Sequence, residues 1–348
     1  MFTDNLPSTG LRSRLLGLLA GPHGVDRYTE LVDPMWTREV RATVVRVRRS
    51  TPRSVTLWLA PNHPCTALAG QYIAVTVEVD GRRHTRCYSP ANAEGAELIE
   101  LTITRHDGGV VSENLHRAAQ PGMTVGLAAP GGDFVLPAAR PRRLLLIAGG
   151  SGITPVMAMV RTLRNEGFDG EVTVIHYTRT LGDACYRREL AAMTGVRVLR
   201  GCTRGPGGDL EGRFNARHLA EAMAEPDAVY VCGPPALVEA VRRQFPNAVA
   251  ESFAPAPLNI PDTPGGGRIT FRESGIEITD DGRPLLEQAE STGLTPQSGC
   301  RMGICHTCTR RKVHGMVRNL ATGSVSTDDD ETVQICVSVP VGDVEIDL

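Results

Sequence analysis

The chain has 348 residues and a formal net charge of −2. That length asks for two or three hydrophobic cores rather than one, and the near-neutral charge argues against nucleic acid as a partner. No apolar run reaches the roughly 18 to 20 residues of a membrane span, so no transmembrane segment is expected. Nine cysteines, an odd number, and no N-terminal apolar core with a cleavage site argue against a secreted disulfide framework; reduced thiols and a cytoplasmic location are expected.

Residues 1–38 read as an N-terminal helical extension. "LRSRLLGLL", residues 11–19, suits a short amphipathic helix that the Gly and Pro of "AGPHG" stop by residue 24. One short helix buries little apolar area, so packing on its own protein is favoured over a membrane-surface role.

Residues 39–138 alternate short β-rich runs with turn signals: "VRATVVRVRR", "SVTLWLA", "QYIAVTVEVDG", "LIELTITRHDGG" and "TVGLAAPGGDF". With one helical patch at "SENLHRAAQ", this spacing predicts a small antiparallel β-barrel. From 139 to 254 apolar strands alternate with helical stretches, "LLLIAGG", "VTVIHYT", "VRVLRG" and "AVYVCGPP", the pattern of an α/β domain with a parallel sheet. A Pro/Gly-rich linker at 255–267 marks a boundary. The last unit, 268–348, opens with candidate strands "RITFRE" and "IEITDDG" and a helix "PLLEQAEST". Its tail from residue 266 carries 8 Lys+Arg against 13 Asp+Glu, leaving it at −5 and the remainder at +3. "TRRK" (309–312) and "DDDE" (328–331) read as solvated surface charge before partner-steering patches.

Four cysteines of this last unit, Cys300, Cys305, Cys308 and Cys336, follow C-x4-C-x2-C with a distant fourth. That is plant-type 2Fe-2S spacing, and Gly299 and Gly303 suit a loop that offers backbone amides to sulfurs. Only one C-x2-C pair exists, which argues against zinc. The other five cysteines are scattered, at 65, 87, 185, 202 and 232.

Two upstream stretches suit phosphate-bearing cofactors. "RCYSP" (86–90) ends a β run and by itself is as well read as a surface hairpin. "DGGVVSENLH" follows it, with two glycines before a helix start whose free amides and dipole favour phosphate. "LLLIAGGSGITPVMAMV" is a strand, a glycine turn and an apolar helix with Pro155 expected at its first position. It is not the G-x-G-x-x-G fingerprint, and a plain tight turn reads as well until "VYVCGPP" puts Cys232 and Gly233 at the carboxyl edge of the same sheet.

Taken in order, "RCYS", "GGVVS", "GGSGITP", "CGPP" and the cysteine spacing resemble the ferredoxin–NADP reductase superfamily with a C-terminal plant-type ferredoxin domain, over residues 39–348. The fold this implies is multidomain: an antiparallel β-barrel for flavin, an α/β parallel-sheet nucleotide domain and an α+β β-grasp ferredoxin domain. The resemblance implies that Arg86 binds flavin phosphate, Tyr88 packs along the isoalloxazine and Ser89 bonds near its N5. Val110, Val111 and Ser112 would donate to the pyrophosphate. Gly149, Gly150, Gly152, Ile153 and Thr154 would take the nicotinamide nucleotide, with Cys232 beside its ring and Gly233 binding cofactor at the same strand end. Phe253 would cover the other flavin face, or is core. Arg179, Thr203 and Arg204 suit a 2′-phosphate, which favours NADPH over NADH, although these arginines are equally readable as solvated.

"VDPMW" and "CRMGICHTC" further resemble the reductases of bacterial fatty-acyl desaturases. The implied function is NAD(P)H-dependent electron transfer through FAD and a 2Fe-2S cluster to an acceptor protein such as a membrane desaturase, which would give peripheral contact with the inner face of the membrane. The reductase of a ring-hydroxylating oxygenase or cytochrome P450 is the alternative, and a non-enzymatic iron–sulfur redox sensor is the alternative of another class.

Overall fold

The computed structural model of this chain describes Met35 and residues 39–253, 265–303 and 306–348. The expected helix at 11–19, most of "VDPMW", the linker as far as residue 264, and Cys305 lie outside the described residues.

The first unit is a six-stranded antiparallel sheet built from β1 (Arg41–Thr51), β2 (Ser54–Pro61), β3 (Ile73–Val79), β4 (Arg82–Tyr88), β5 (Ile99–Thr104) and β6 (Thr124–Leu127), with helix α1 (Val110–Ala118) between the last two. The strand order is β4-β3-β6-β1-β2-β5, and the sheet curls so that its edge strands β4 and β5 approach each other. Period-two alternation puts Val55, Leu57 and Leu59 of β2, and Ile99, Leu101 and Ile103 of β5, into one core.

The opposite face of the same strands is also buried, and it is polar. Thr56 and Thr102 share a hydrogen bond of 2.7 Å, and Thr102 meets the Tyr186 hydroxyl of the next unit at 2.5 Å. Glu100 is paired with Arg161 at 3.2 Å, and Arg161 also reaches Glu189 at 2.7 Å. Burial opposes the charge on Arg161, but the hydrogen bond to Glu189 and the charges of Glu100 and Glu189 outweigh it and hold its pKa above the ordinary arginine range. A buried charge that keeps its partners is tolerated, whereas removing one partner costs about 3–5 kcal/mol. The first two units are thereby fastened through their polar faces.

The second unit is a six-stranded, wholly parallel sheet in the order β10-β9-β8-β7-β11-β12. Its strands are β7 (Arg143–Gly149), β8 (Glu171–Thr178), β9 (Val196–Cys202), β10 (Leu210–Glu211), β11 (Ala228–Cys232) and β12 (Val249–Glu251). Helices α2 (Ile153–Asn165), α3 (Arg187–Ala192), α4 (Ala216–Ala222) and α5 (Pro235–Gln244) flank it. β7 is apolar along its length because it is covered on both sides: Leu144, Leu146 and Ala148 enter one core, Leu145 and Ile147 the other. The first of these cores also contains Ala91, Phe134 and Leu136 from the preceding unit. The strand order reverses between β7 and β11, which opens a crevice at their carboxyl ends.

Pro155 is the third residue of α2, not the first, because a 3-10 turn at Gly150–Gly152 precedes the helix. The shift costs nothing, since the first turn has no intrahelical acceptor for the missing N–H.

The third unit orders its sheet β14-β13-β18-β15-β16, with β17 also on β15. Its elements are β13 (Arg268–Phe271), β14 (Ile276–Thr279), α6 (Leu285–Ser291), β15 (Thr309–Asn319), β16 (Val325–Ser326), β17 (Glu331–Gln334) and β18 (Ser338–Ile346). The expected solvated surface is found at Arg311, Asp328, Asp329 and Asp330, which are exposed, but not at Lys312. "TRRK" begins β15 and pairs with β17, where Lys312 lies opposite Glu331. The Lys312 ammonium is fully buried and donates to the carbonyls of Gly315 at 2.7 Å and Asp328 at 2.5 Å. Asp329 bonds His314 at 3.0 Å and Asp330 bonds Arg311, so the acidic run is consumed in holding its own hairpin.

Candidate functional site

At the crevice, β7 ends on Gly149 and the chain turns through Gly150, Ser151 and Gly152 into α2. Gly150 has φ +57, a left-handed conformation that favours glycine. A Cβ on Gly152 would lie 2.1 Å from the Cys232 carbonyl oxygen, so only glycine lets this turn press against β11. Gly149 and Gly233 have the same relation: a Cβ on Gly233 would be 3.0 Å from the Cα of Gly149. Thr154 closes the turn by donating its hydroxyl to the Ser151 carbonyl at 3.2 Å, and Ile153 is buried beneath it. The result is a backbone cradle at the N-terminus of a 13-residue helix, where amides and dipole suit a pyrophosphate.

His176, on β8 beside this turn, escaped the reading of the sequence. Its Nε2 lies 3.1 Å from the Gly150 carbonyl oxygen. Burial lowers its pKa to about 4, partly offset by that hydrogen bond, so the ring is neutral at physiological pH and Nε2 carries the proton it donates.

Two strands further along the same edge, Thr203 and Arg204 follow β9, and Arg179 follows β8. Their amides tie the ends together: Thr203 N–H donates to Thr178 O, and Arg204 N–H to Arg179 O, both at 2.9 Å. The side chains of Arg179 and Arg204 are exposed and enter no ion pair among the described residues. No carboxylate follows β8 or β9 directly; Thr178–Arg179 and Thr203–Arg204 stand there instead.

Cys232 ends β11 on the side that faces the barrel unit and is fully buried in the core shared with Phe134. Burial raises its thiol pKa well above the ordinary value, and the charge of Glu251 adds to the rise, so the sulfur stays protonated. Glu251 is the second residue the sequence did not announce; the only signal was an acid ending an otherwise small and apolar strand, "AVAE". Burial raises its carboxyl pKa to about 8, and its Oε2 has no hydrogen-bond partner among the described residues. Phe253 is half-buried and packs against the core that holds Cys232, which keeps both readings of it open.

On the barrel, Arg86, Tyr88 and Ser89 lie at the end of β4. Tyr88 packs on the barrel core, and burial holds its phenol above the ordinary range, so it is un-ionised. The Ser89 hydroxyl is buried with no partner among the described residues, a donor and acceptor suited to a ligand atom. α1 starts at Val110, two residues earlier than the patch read from sequence. The backbone amides of Val110, Val111 and Ser112 have no backbone acceptor among the described residues, while the Ser112 hydroxyl turns inward to accept from His106 N–H at 3.1 Å. The orphaned Ser89 hydroxyl and the three free amides fit a flavin bearing a pyrophosphate.

The cysteine loop fits a cluster in the same sense. Cys300, Cys308 and Cys336 are all buried, and the Cys336 thiol is pushed far up by its hydrogen bond to Cys308, by burial and by nearby Cys300. Three buried, converging thiols are a donor set that a cationic iron centre would bind as thiolates. Arg301, Gly303 and His306 all have positive φ, which turns the loop around the sulfurs, and Met302 N–H lies 3.4 Å from the Cys300 sulfur. Cys305, which completes the spacing, lies outside the described residues. The loop meets the barrel through Arg86, whose Nη1 donates to the Gly299 carbonyl at 3.2 Å.

Comparison with known proteins agrees with this division. Residues 49–136 match the oxidoreductase FAD-binding domain, 146–243 the oxidoreductase NAD-binding domain and 269–341 the 2Fe-2S iron–sulfur cluster binding domain. A protein of Mycobacterium tuberculosis named NADPH oxidoreductase is 33% identical over 370 aligned residues, covering 99% of this chain and 94% of its own. The glycine betaine monooxygenase reductase subunit of Pseudomonas aeruginosa is 27% identical, over 80% of this chain and 86% of its own. Phthalate dioxygenase reductase shares the fold with a TM-score of 0.64 at 22% identity, over 89% of this chain and 98% of that one. The chain belongs to the family of NAD(P)H-dependent oxidoreductases that bind FAD and carry a C-terminal 2Fe-2S domain.

Proposed function

We propose that this oxidoreductase takes electrons from NADPH and delivers them, through FAD and the 2Fe-2S cluster, to a separate acceptor protein, a membrane fatty-acyl desaturase. The observation that carries the relay is the convergence of its parts: Cys232 and the glycine turn share a core with the barrel, and the cluster loop bonds to Arg86 of the barrel. Bound flavin supplies the exchange between a two-electron hydride and one-electron carriers. The chain's own residues hold and orient. Gly149, Gly150, Gly152, Ile153 and Thr154 seat the nucleotide, Cys232 and Gly233 border its ring, and Ser89, Tyr88 and Arg86 with the amides of Val110–Ser112 hold the flavin. Cys300, Cys305, Cys308 and Cys336 hold the cluster.

Exposed Arg179 and Arg204, with Thr203, favour a 2′-phosphate and so NADPH. The desaturase as acceptor is favoured by the resemblance in "VDPMW" and "CRMGICHTC". A second reading, the reductase of a monooxygenase or ring-hydroxylating dioxygenase, is favoured by the glycine betaine monooxygenase reductase subunit at 27% identity.

The test is an anaerobic titration of the holoprotein with NADPH and then NADH, followed by addition of purified acceptors. Bleaching of flavin absorbance with appearance of a reduced 2Fe-2S resonance is expected. Re-oxidation by a desaturase, but not by an oxygenase component, would support the first acceptor; the reverse would replace it by the second.

A further inference from the structure

Arg86 serves two carbonyl groups with one nitrogen. Its Nη1 donates to Thr85 O at 2.7 Å and to Gly299 O at 3.2 Å, the second bond spanning 213 positions of sequence. Gly299 directly precedes the cluster ligand Cys300. Its loop is stiffened inside its own domain: Arg310 donates to Gln297 O at 3.3 Å, and Arg301 forms a two-pronged pair with Glu290 at 2.9 and 2.5 Å. A contact at Gly299 therefore positions the first cysteine rather than a floppy tip. A guanidinium has five N–H donors in a planar fork, and neither Nε nor Nη2 of Arg86 is hydrogen-bonded among the described residues. Donors remain for a phosphate while the carbonyl bond is kept.

We infer that Arg86 is the docking residue of the ferredoxin domain, a bridge with one nitrogen on the cluster loop and others free for the flavin phosphate. This rests on the relay proposed above. Filling the flavin site and seating the cluster loop are then coupled through one side chain, and such coupling is reciprocal. The step that docking serves makes and breaks no bond: one electron passes from flavin reduced by NAD(P)H to one ferric ion of the cluster.

The test uses the full-length holoprotein and its R86K and R86Q variants, with FAD added until flavin occupancy is full. Rapid mixing with NADPH reads flavin bleaching by absorbance and cluster reduction by freeze-quench resonance. In R86Q, the ratio of the cluster-reduction rate to the flavin-bleaching rate is expected to fall at least tenfold whatever the variant does to flavin bleaching itself, with R86K intermediate. Cluster reduction that keeps pace with flavin bleaching in R86Q would overturn the inference. Should R86Q not retain FAD, X-ray scattering of the cluster-loaded, flavin-free chain decides instead: a larger radius of gyration than wild type supports docking through Arg86, and an unchanged one refutes it. Failure of the relay itself would look different, since wild-type flavin would then not bleach with either nucleotide.

Discussion

Cys232 and Glu251 are register partners on the parallel strands β11 and β12, and the Gly233 amide donates to the Glu251 carbonyl at 3.2 Å. Two ionisable groups thus stand side by side at the carboxyl edge of the sheet, and burial keeps both protonated near neutrality. Both groups are therefore uncharged, and the Glu251 carboxyl holds its proton.

Glu251 therefore leaves a mark on stability. Its folded pKa of about 8 exceeds the ordinary value of about 4.3. Between those values the folded state holds a proton that the unfolded state has released, so stability falls as pH rises through this window and levels off above it. Glu251→Gln lacks the titration. Thermal midpoints measured from pH 5 to 9 are expected to show the variant gaining on wild type as pH rises, with the gain levelling off above about pH 8. Parallel curves for the two proteins would contradict a buried, high-pKa Glu251.

His176 has the opposite sign. Its folded pKa of about 4 lies below the ordinary 6.5, so the unfolded chain takes up a proton that the folded chain refuses, and stability falls as pH drops from 6.5 toward 4. Its ring also fixes the Gly150 peptide. Losing one such hydrogen bond, about 1 kcal/mol, translates to several-fold to tenfold in affinity. His176→Phe is expected to raise the KM for NADPH by that amount with kcat nearly unchanged. His176→Gln, whose amide can still donate to Gly150, is expected to recover part of the loss. Steady-state kinetics with an artificial acceptor would read both; a fall in kcat at constant KM would count against a positioning role.

The division between what the sequence discloses and what it hides follows from range. Strand alternation in "SVTLWLA", the all-apolar "LLLIAG" and the glycine turn are local signals, and the corresponding strands and turn lie where those patterns suggest. Pro155 landed two positions off because a 3-10 turn is not distinguishable from a helix start by composition. His176 and Glu251 were missed because their partners, Gly150 and Cys232, lie 26 and 19 residues away and meet them only when parallel strands align. "TRRK" misled for a related reason: a lysine reads as solvated until the carbonyls of Gly315 and Asp328 close over it.

Lys312 gives the ferredoxin unit a test of its own. Replacing it by methionine keeps the stem that fills the buried space and removes the ammonium, leaving the part-buried carbonyls of Gly315 and Asp328 with one donor fewer. Each such loss costs about 1–3 kcal/mol. Lys312→Met is expected to lower the denaturation midpoint of the cluster unit, followed by visible absorbance, through a loss of roughly 2 kcal/mol in unfolding free energy. Its folded spectrum should be unchanged, because Lys312 is not among the cysteine ligands. An unaltered midpoint would mean that the acidic hairpin at 327–331 is held without it.

The proposed preference for NADPH makes a prediction at Arg179 and Arg204. Both are exposed at adjacent strand ends, tied together by the hydrogen bond from Arg204 N–H to Arg179 O at 2.9 Å. Substituting both by alanine removes two cations from the place where a 2′-phosphate would lie and leaves the turn at Gly149–Gly152 untouched. Charge-assisted hydrogen bonds are worth about 1.5–3 kcal/mol each, so even one lost bond predicts a tenfold or greater rise in the KM for NADPH. The KM for NADH, which lacks that phosphate, should stay within about threefold, since nothing that holds the pyrophosphate has changed. Adding salt should raise the wild-type KM for NADPH and leave that for NADH nearly constant, because exposed charges are screened within roughly 10 Å at 0.1 M. Equal losses with both nucleotides would mean that these arginines support the fold of the edge rather than select the phosphate.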